Sequence, residues 1–484
     1  MTPRSTSVEG WALLEAMQKP TDTNTTPTRM QPVDVTARIA TFIANARTDR
    51  VLDARNEIWA RHVLLDWLGV TLAARDEPIV DILVAELIGP DHQPGRGACS
   101  IVGRGIRADL HAAVMINAAA SHALDYDDVN PCLGGHPGVV TIPVALALAQ
   151  TVPNITGRDI LAAIVIGYEA AGAVGQMMGT SHYAAGFHNT GTVGTFGATA
   201  TAAFLLGLNA NKTRVAFGLA ASQAAGLKCN FGTMTKPYHA GTAAQSGMMA
   251  ARLASLGMTA HASAIEATNG FAATQAHEFV PDAWRAPEFG TNSDWVITKT
   301  LFKYHAACFG AHAAMTAVSN LTTQDTVTPE NVVKVDLVVP ERSRGQCDIA
   351  APTTGLEVKF STQHLAAMVL AGLDTAAPTN FTDEVANAAE VVKLRQRISL
   401  AFDPDRSRYL ADAHILLTDG RTLSEQANVG QPATDLDQQW AKLHAKFVSL
   451  AVLHATRDQA TEIASAVSGL GSAMSVSELM LALS

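Results

Sequence analysis

From Val35 onward apolar residues recur with a helical period. Val35, Ile39, Phe42 and Ile43 fall on one face, and residues 58–72 are apolar on nearly every side. The stretches "AAVMINAAASHALDY", "GVVTIPVALALAQTV", "DILAAIVIGYEAAGAVGQMM", "GTVGTFGATATAAFLLGL", "KTRVAFGLAASQAAGL" and "GTAAQSGMMAARLASLG" repeat the theme. They are long, are separated by turn residues such as Gly157 and Asn209, and lack the two-residue alternation of strands. Helices this uniformly apolar belong inside a large bundle rather than on its surface.

Near residue 300 the pattern changes. "NVVKVDLVVPE" alternates, with Val333, Val335, Leu337 and Val339 on one side and Lys334 and Asp336 on the other. "LRQRISLAFDPD" and "DAHILLTDGRTLSEQ" predict further strands, the second turning as a hairpin at Asp419 and Gly420. Residues 301–435 therefore predict a small α+β domain. Helical periodicity resumes in "DLDQQWAKLHAKFVSLAVL" and "RDQATEIASAVSGL", a segment short enough to be expected back on the first helical body.

Composition sharpens this reading. Of the 484 residues, 48% are hydrophobic and 16% charged, with alanine and glycine prominent, so close helix packing through small residues is expected. The formal net charge of −10 argues against a nucleic-acid partner. It also means that a site for an anion must be locally positive. Cys99, Cys132, Cys229, Cys308 and Cys347 are scattered and include no CxxC pair, which disfavours a disulfide framework or zinc ribbon and fits a reducing, cytoplasmic setting. No uninterrupted apolar run reaches about 18 residues, so no membrane span is expected. Residues 1–34 lack a basic start followed by an apolar core and carry Glu9 and Glu15. They read as a mostly disordered extension with a short helix from Trp11 to Met17 rather than a targeting signal.

Four segments carry candidate chemistry. "HALDYDDVNPCLGGHPG" gathers His122, Asp125, Asp127, Asp128 and His136 where a helix ends and a Gly-Gly-His-Pro loop begins. Such a set handles protons or binds a metal; the bland alternative is a solvated helix end. No HExxH and no histidine pair at i, i+4 supports the metal, so proton chemistry is favoured. Because carboxylates are unfavourable at a helix C-terminus, a local partner is expected for these acids. In "AGFHNTGTVGTFGATA", His188 precedes Gly191, Gly194 and Gly197. Without a following Gly-Lys-Ser/Thr, these glycines are expected to let another backbone approach, while His188 sits at a helix start, an anion-binding position. In "CNFGTMTKPYHAGTAAQSG", Pro237 suits a first helical turn, placing Lys236 just before it beside free N–H groups. That corner suits a carboxylate; the alternative is a lysine that snorkels to solvent. Thr233 and Lys236 also have a nucleophile-x-x-Lys spacing, which is common by chance. Lys299, Lys303, His305 and His312 lie at the junction with the α+β region, where clefts form.

In their order, "LDYDD…GHP", "GFHNTGTVGTFGA", "GTMTKPYHAGTAAQSG" and "CFGAH" resemble the MmgE/PrpD family, from about residue 36 to the end. That family includes 2-methylcitrate dehydratases, cis-aconitate decarboxylases and an iminodisuccinate epimerase. The resemblance implies a mainly α fold: a large all-helical domain built from residues 35–300 and 436–484, with a smaller α+β lid domain inserted at 301–435. It further implies a homodimer that needs no organic cofactor and no metal. Matched motif by motif, the catalytic set is Asp125, His136, His188, Lys236 and His312, with His239 and Lys303 joining Lys236 and His188 in binding a small anionic carboxylate substrate. Val129 stands where decarboxylase members commonly have threonine, and the loop to His136 is one residue longer than in animal cis-aconitate decarboxylases. Both features lie closer to the epimerase pattern. The expected activity is a cofactor-independent lyase, dehydrating or decarboxylating; the alternatives are a dicarboxylate epimerase, a metal-dependent hydrolase and a non-catalytic helical dimer.

Overall fold

A computed structural model describes residues 34–89, 97–291, 294–324 and 327–471, together with Leu479. The helix expected between Trp11 and Met17 lies outside the described residues. The chain is mainly α. Its principal helices are α1 (Val35–Asn45), α2 (Ala54–Ala73), α3 (Leu110–Ala123), α4 (Gly138–Thr151), α5 (Gly157–Met178), α6 (Val193–Leu205), α7 (Thr235–Ser255), α8 (Phe309–Gln324), α9 (Thr362–Leu370), α10 (Leu436–Ala451) and α11 (Arg457–Gly469). Their starts follow the side-chain capping rules. Asp53 caps α2, Asp109 caps α3, and Thr156 with Asp159 forms a reciprocal capping box on α5.

Helices α3 to α7 pack as a bundle whose interior is mostly apolar. Helix α5 is long and apolar enough to cross a membrane, yet 94% of its most apolar window is buried within the protein, as in a core helix. The glycines of the second and third candidate segments do what small residues do between helices. Gly197 faces the Gly167 carbonyl, so α6 and α5 touch backbone to backbone. A Cβ at Gly247 of α7 would meet Ala198 Cβ and Thr195 O of α6, both at 2.6 Å. Neither atom can swing aside, so Gly247→Ala is expected to cost about 1–3 kcal/mol through overpacking, read as a lower Tm without loss of the helical circular-dichroism signal.

Strands β1 (Cys99–Ile101) and β2 (Ile106–Ala108) form a small hairpin beside α3. The main sheet comprises β3 (Val332–Pro340), β4 (Ile398–Asp403), β5 (Leu410–Leu417) and β6 (Thr422–Asn428) in the order β4-β3-β5-β6. The β3–β4 pair is parallel and the other two are antiparallel, with the β5–β6 hairpin turning through Gly420 at φ 87°. A parallel pair needs a crossover, and residues 341–397, with α9 among them, supply it. Burial alternates along β5, and α8 and α9 cover the buried face. The sheet, α8 and α9 share an apolar cluster running from Ala307 to Ala427. One expectation fails here. Val333 is 46% exposed, because the β3–β5 register shifts between Val332 and Lys334 and the irregularity turns Val333 away from the core.

The C-terminal helices fold back on the N-terminal ones. A Cβ on Gly69 of α2 would lie 3.2 Å from the Phe447 ring of α10. Polar contacts tie the same pair: Lys446 Nζ sits 2.7 Å from Asp66 Oδ1, and Gln439 Nε2 donates to His62 Nδ1 at 2.8 Å.

Candidate active site

The site grows from the C-terminus of α3. Leu124 caps that helix, and Asp125 follows with φ 51°, the left-handed conformation usually given to glycine at this position. Aspartate tolerates it better than most residues. The turn reverses the chain and leaves three successive carbonyls at the negative end of the helix. Each is met by a buried lysine: Lys359 Nζ donates to Leu124 O (2.7 Å), Lys303 Nζ to Asp125 O (2.7 Å) and Lys446 Nζ to Tyr126 O (2.7 Å). These ammonium groups offset the negative end of the helix, and Lys303 is also a partner of the Asp125 carboxylate.

Asp125 is the hub. Its Oδ1 lies 2.5 Å from Lys303 Nζ and 2.8 Å from Lys236 Nζ, all three side chains being buried. Burial alone would raise the carboxyl pKa; Lys236 and Lys303, with His136 and His122, overcome it and hold the pKa far below the usual carboxylate range. Burial likewise opposes the charge on Lys303, but Asp125 and Asp127 prevail and raise its pKa. Lys236 also lies 5.5 Å and 5.2 Å from the Phe231 and Phe360 ring centroids, within cation–π range. Asp125 Oδ2 is buried without a hydrogen-bond partner.

Asp127 organises the histidines. His122 Nδ1 is 3.0 Å from its carboxylate and His136 Nδ1 is 2.9 Å away. His136 Nδ1 also lies 2.8 Å from Asp128 O. With only acceptors around it, Nδ1 carries the proton, which leaves His136 Nε2 to face the cleft as the basic nitrogen. Burial would raise the Asp127 pKa, but His122 and His136 bring it well below the ordinary value. Asp128 is different. Burial, reinforced by Asp127 and Asp66, raises its pKa well above normal, and it is bound by Tyr168 Oη (2.9 Å) and Gly138 N (3.1 Å). The ligand atoms of His122, Asp127 and His136 lie within 4.8 Å of one another, a spacing a metal could use. Both Nδ1–H groups are already spent on the Asp127 carboxylate, so the hydrogen-bonded relay accounts for the cluster.

His188 completes the set. It lies five residues before α6, in a turn where its carbonyl accepts from Gly191 N and Thr192 N, and not at the helix start as the sequence suggested. Its Nδ1 meets His239 Nδ1 at 3.1 Å, and its Nε2 is buried without a partner. Burial, then the fields of His122 and Lys236, lowers its pKa well below the usual histidine value, so it is neutral at neutral pH. Lys236 also departs from expectation, lying inside the first turn of α7 rather than before it. Thr233 is exposed and donates to Asn230 O, so it forms no nucleophile pair with Lys236.

His136, His188 and Lys236 line one narrow cleft. Asp125 and Lys303 stand behind Lys236, and His239 stands behind His188. His312 does not join them. It faces a neighbouring cavity of about 480 Å³ together with His305 and Lys442, the two spaces meeting at Phe309, and its Nε2 meets Ala307 O at 3.1 Å. The cleft also contains Cys308, from the "CFGAH" motif, and groups that the motifs do not include: Tyr183, Arg342, Arg408 and Tyr409. Asp66, Lys359 and Lys446 were missed behind it. A signal for two of them was available, since Asp66 is the single acid in the apolar run "HVLLDWLGV" and Lys446 shares the apolar face of α10 with Leu443, Phe447 and Leu450.

Comparison with known proteins bears on this geometry. The profile of the MmgE/PrpD N-terminal domain matches residues 37–283, and that of the MmgE/PrpD C-terminal domain matches residues 305–470. The chain is 28% identical over 339 residues to a cis-aconitate decarboxylase of Homo sapiens, covering 67% of this chain and 69% of that protein. To a cis-aconitate decarboxylase of Mus musculus it is 29% identical over 337 residues, covering 65% and 66%. A cis-aconitate decarboxylase of Aspergillus terreus is 26% identical over 300 residues, with 59% and 60% covered. The matched region thus spans about two thirds of each mammalian relative and less of the fungal one.

Proposed function

The chain belongs to the MmgE/PrpD family, and from that premise we propose that it is a cofactor-independent lyase that removes water or carbon dioxide from a small polycarboxylate. The observation that carries this reading is the cleft itself: His136, His188 and Lys236 line it together, in a protein whose net charge is −10. In both reactions negative charge builds up beside a carboxylate. In dehydration a base takes the α-proton and an acid protonates the departing hydroxyl. In decarboxylation the C–C electron pair moves into the neighbouring unsaturated acid, carbon dioxide leaves, and a proton is added. Lys236 anchors a carboxylate and stabilises that charge in a site that excludes water. His136 Nε2, backed by Asp127, and neutral His188 move the protons. The relatives named cis-aconitate decarboxylase support a tricarboxylate as the substrate.

A second reading, dicarboxylate epimerisation, is favoured by Val129. Its backbone pairs with Leu301 in both directions (2.8 Å each), which fixes an apolar side chain in the cleft wall where a threonine would offer a hydroxyl. We also propose that the α+β body at 301–435 acts as a lid, since Arg342, Gln346 and Arg408 from that body line the same cleft as His136, His188 and Lys236. A homodimer and a cytoplasmic location complete the proposal. Mass spectrometry of reactions run after exhaustive chelation tests it. Loss of water or carbon dioxide from the acid is expected. Unchanged mass with inverted configuration would establish the epimerase instead, and activity abolished by chelation and restored by metal would overturn the cofactor-independent mechanism.

A further inference from the structure

Within the cleft, positive charge is distributed unevenly. Lys236 is balanced by Asp125. Arg342, in the turn after β3, and Arg408, just before β5, line the same cleft with no such partner. Their guanidinium carbons sit over aromatic rings, Arg342 5.0 Å from the Tyr183 centroid and Arg408 4.7 Å from that of Tyr409. Lys228 Nζ lies 3.8 Å from the Tyr183 centroid, adding a third cation. Among the described residues, no carboxylate lies within ion-pairing distance of any of the three. The neighbouring arginines show the contrast: Arg344 is paired with Glu341 at 2.6 Å and Arg406 with Asp412 at 2.7 Å. So these two neighbours outside the cleft have acids, and the two arginines inside it have none.

Two half-buried guanidinium groups facing one cavity repel each other and lose hydration, an arrangement that an anion between them relieves. Burial and then Arg342 lower the Arg408 pKa, the direction expected of such a pair. Tyr409 lines the same wall, with its hydroxyl beside the Arg408 guanidinium. Planar guanidinium groups stacked on rings are pre-oriented to grip a carboxylate through paired N–H donors. Neither arginine belongs to the sequence motifs that mark the His136–His188–Lys236 wall.

We propose that Arg342 and Arg408 form a second carboxylate subsite, which holds a carboxylate distinct from the one at Lys236 and makes the protein selective for tricarboxylates over dicarboxylates. This subsite rests on the reading that the cleft takes a polycarboxylate. Because both arginines come from the α+β body, filling the subsite also draws that body onto the substrate.

Calorimetric titration with two unreactive acids tests the subsite: propane-1,2,3-tricarboxylate and propane-1,3-dicarboxylate. The wild type is expected to bind the tricarboxylate more tightly. Arg342→Gln and Arg408→Gln should each weaken tricarboxylate binding about 10- to 100-fold, as for a lost charge-assisted hydrogen-bond pair, and leave the dicarboxylate nearly unchanged. Arg408→Lys, which keeps the charge but loses the fork, should recover part of the loss. It also serves as the folded comparison, checked by its Tm, if a glutamine variant does not fold. Glutamine variants that bind the tricarboxylate as the wild type does would overturn the subsite while leaving the carboxylate pocket intact. Equal weakening of both acids would overturn the selectivity. A wild type that binds neither acid would remove the polycarboxylate reading, and the subsite with it.

Discussion

Asp125→Ala is expected to lose about 3–5 kcal/mol of folding stability together with its activity. The reason is what it leaves behind. Lys236 and Lys303, 4% and 0% exposed, would face each other without the carboxylate that now bridges them. Breaking a buried pair by removing one partner costs about this much because the orphaned charge stays desolvated. Asp125→Asn keeps the shape and one acceptor oxygen, so its loss should be smaller. Acid should mimic the substitution. The folded-state pKa of Asp125 is depressed below its unfolded value, so its stabilisation is fully present above about pH 4 and is lost as the pH falls below that. The depressed Asp127 adds to the same window. Urea denaturation of wild type and both variants at neutral and acid pH measures this. An Asp125→Ala protein as stable as the wild type would mean that the lysines do not depend on Asp125.

His136→Gln is expected to lower kcat by about 10²- to 10⁴-fold, the range for losing a positioned acid–base group, with little change in the affinity for a polycarboxylate. His136 Nδ1 is held by Asp127 and Asp128 O, and a glutamine amide can keep one of those bonds, so the variant should fold. What glutamine cannot do is transfer a proton at the position of Nε2. Steady-state kinetics separates the cases. A large rise in KM with unchanged kcat would make His136 a binding group instead.

How much of this was legible beforehand follows from what kind of signal each feature leaves. The helices of the bundle were readable because their apolar periodicity is long and uninterrupted, as was the Asp419–Gly420 hairpin because a tight turn has its own chemistry. Val333 misled because register irregularities depend on the partner strand, which the strand's own alternation does not reveal. The cluster of His122, Asp125, Asp127 and His136 lies in one segment and was visible as such. His188 and Lys236 were placed in the right company but in the wrong local structure, by a few residues at a helix start. His312 lines a neighbouring cavity and not the cleft, since the chain from Lys303 to His312 runs from behind Asp125 through the cleft wall at Cys308, Phe309 and Gly310 and then turns away. Lys446 betrays itself only as a charge on an apolar helix face, and Lys359, Arg342 and Arg408 come from distant segments that carry no local motif. Only the fold brings them to α3 and to the cleft.

The most direct test of the central claim is a proton NMR time course in D₂O of the metal-stripped protein with 2-methylcitrate, citrate, cis-aconitate, trans-aconitate and iminodisuccinate, with Lys236→Ala and His136→Gln alongside. The expected result is loss of water or carbon dioxide from one of these acids, with both variants strongly impaired. Solvent deuterium entering an α-carbon without net conversion, or turnover that persists undiminished in both variants, would contradict it.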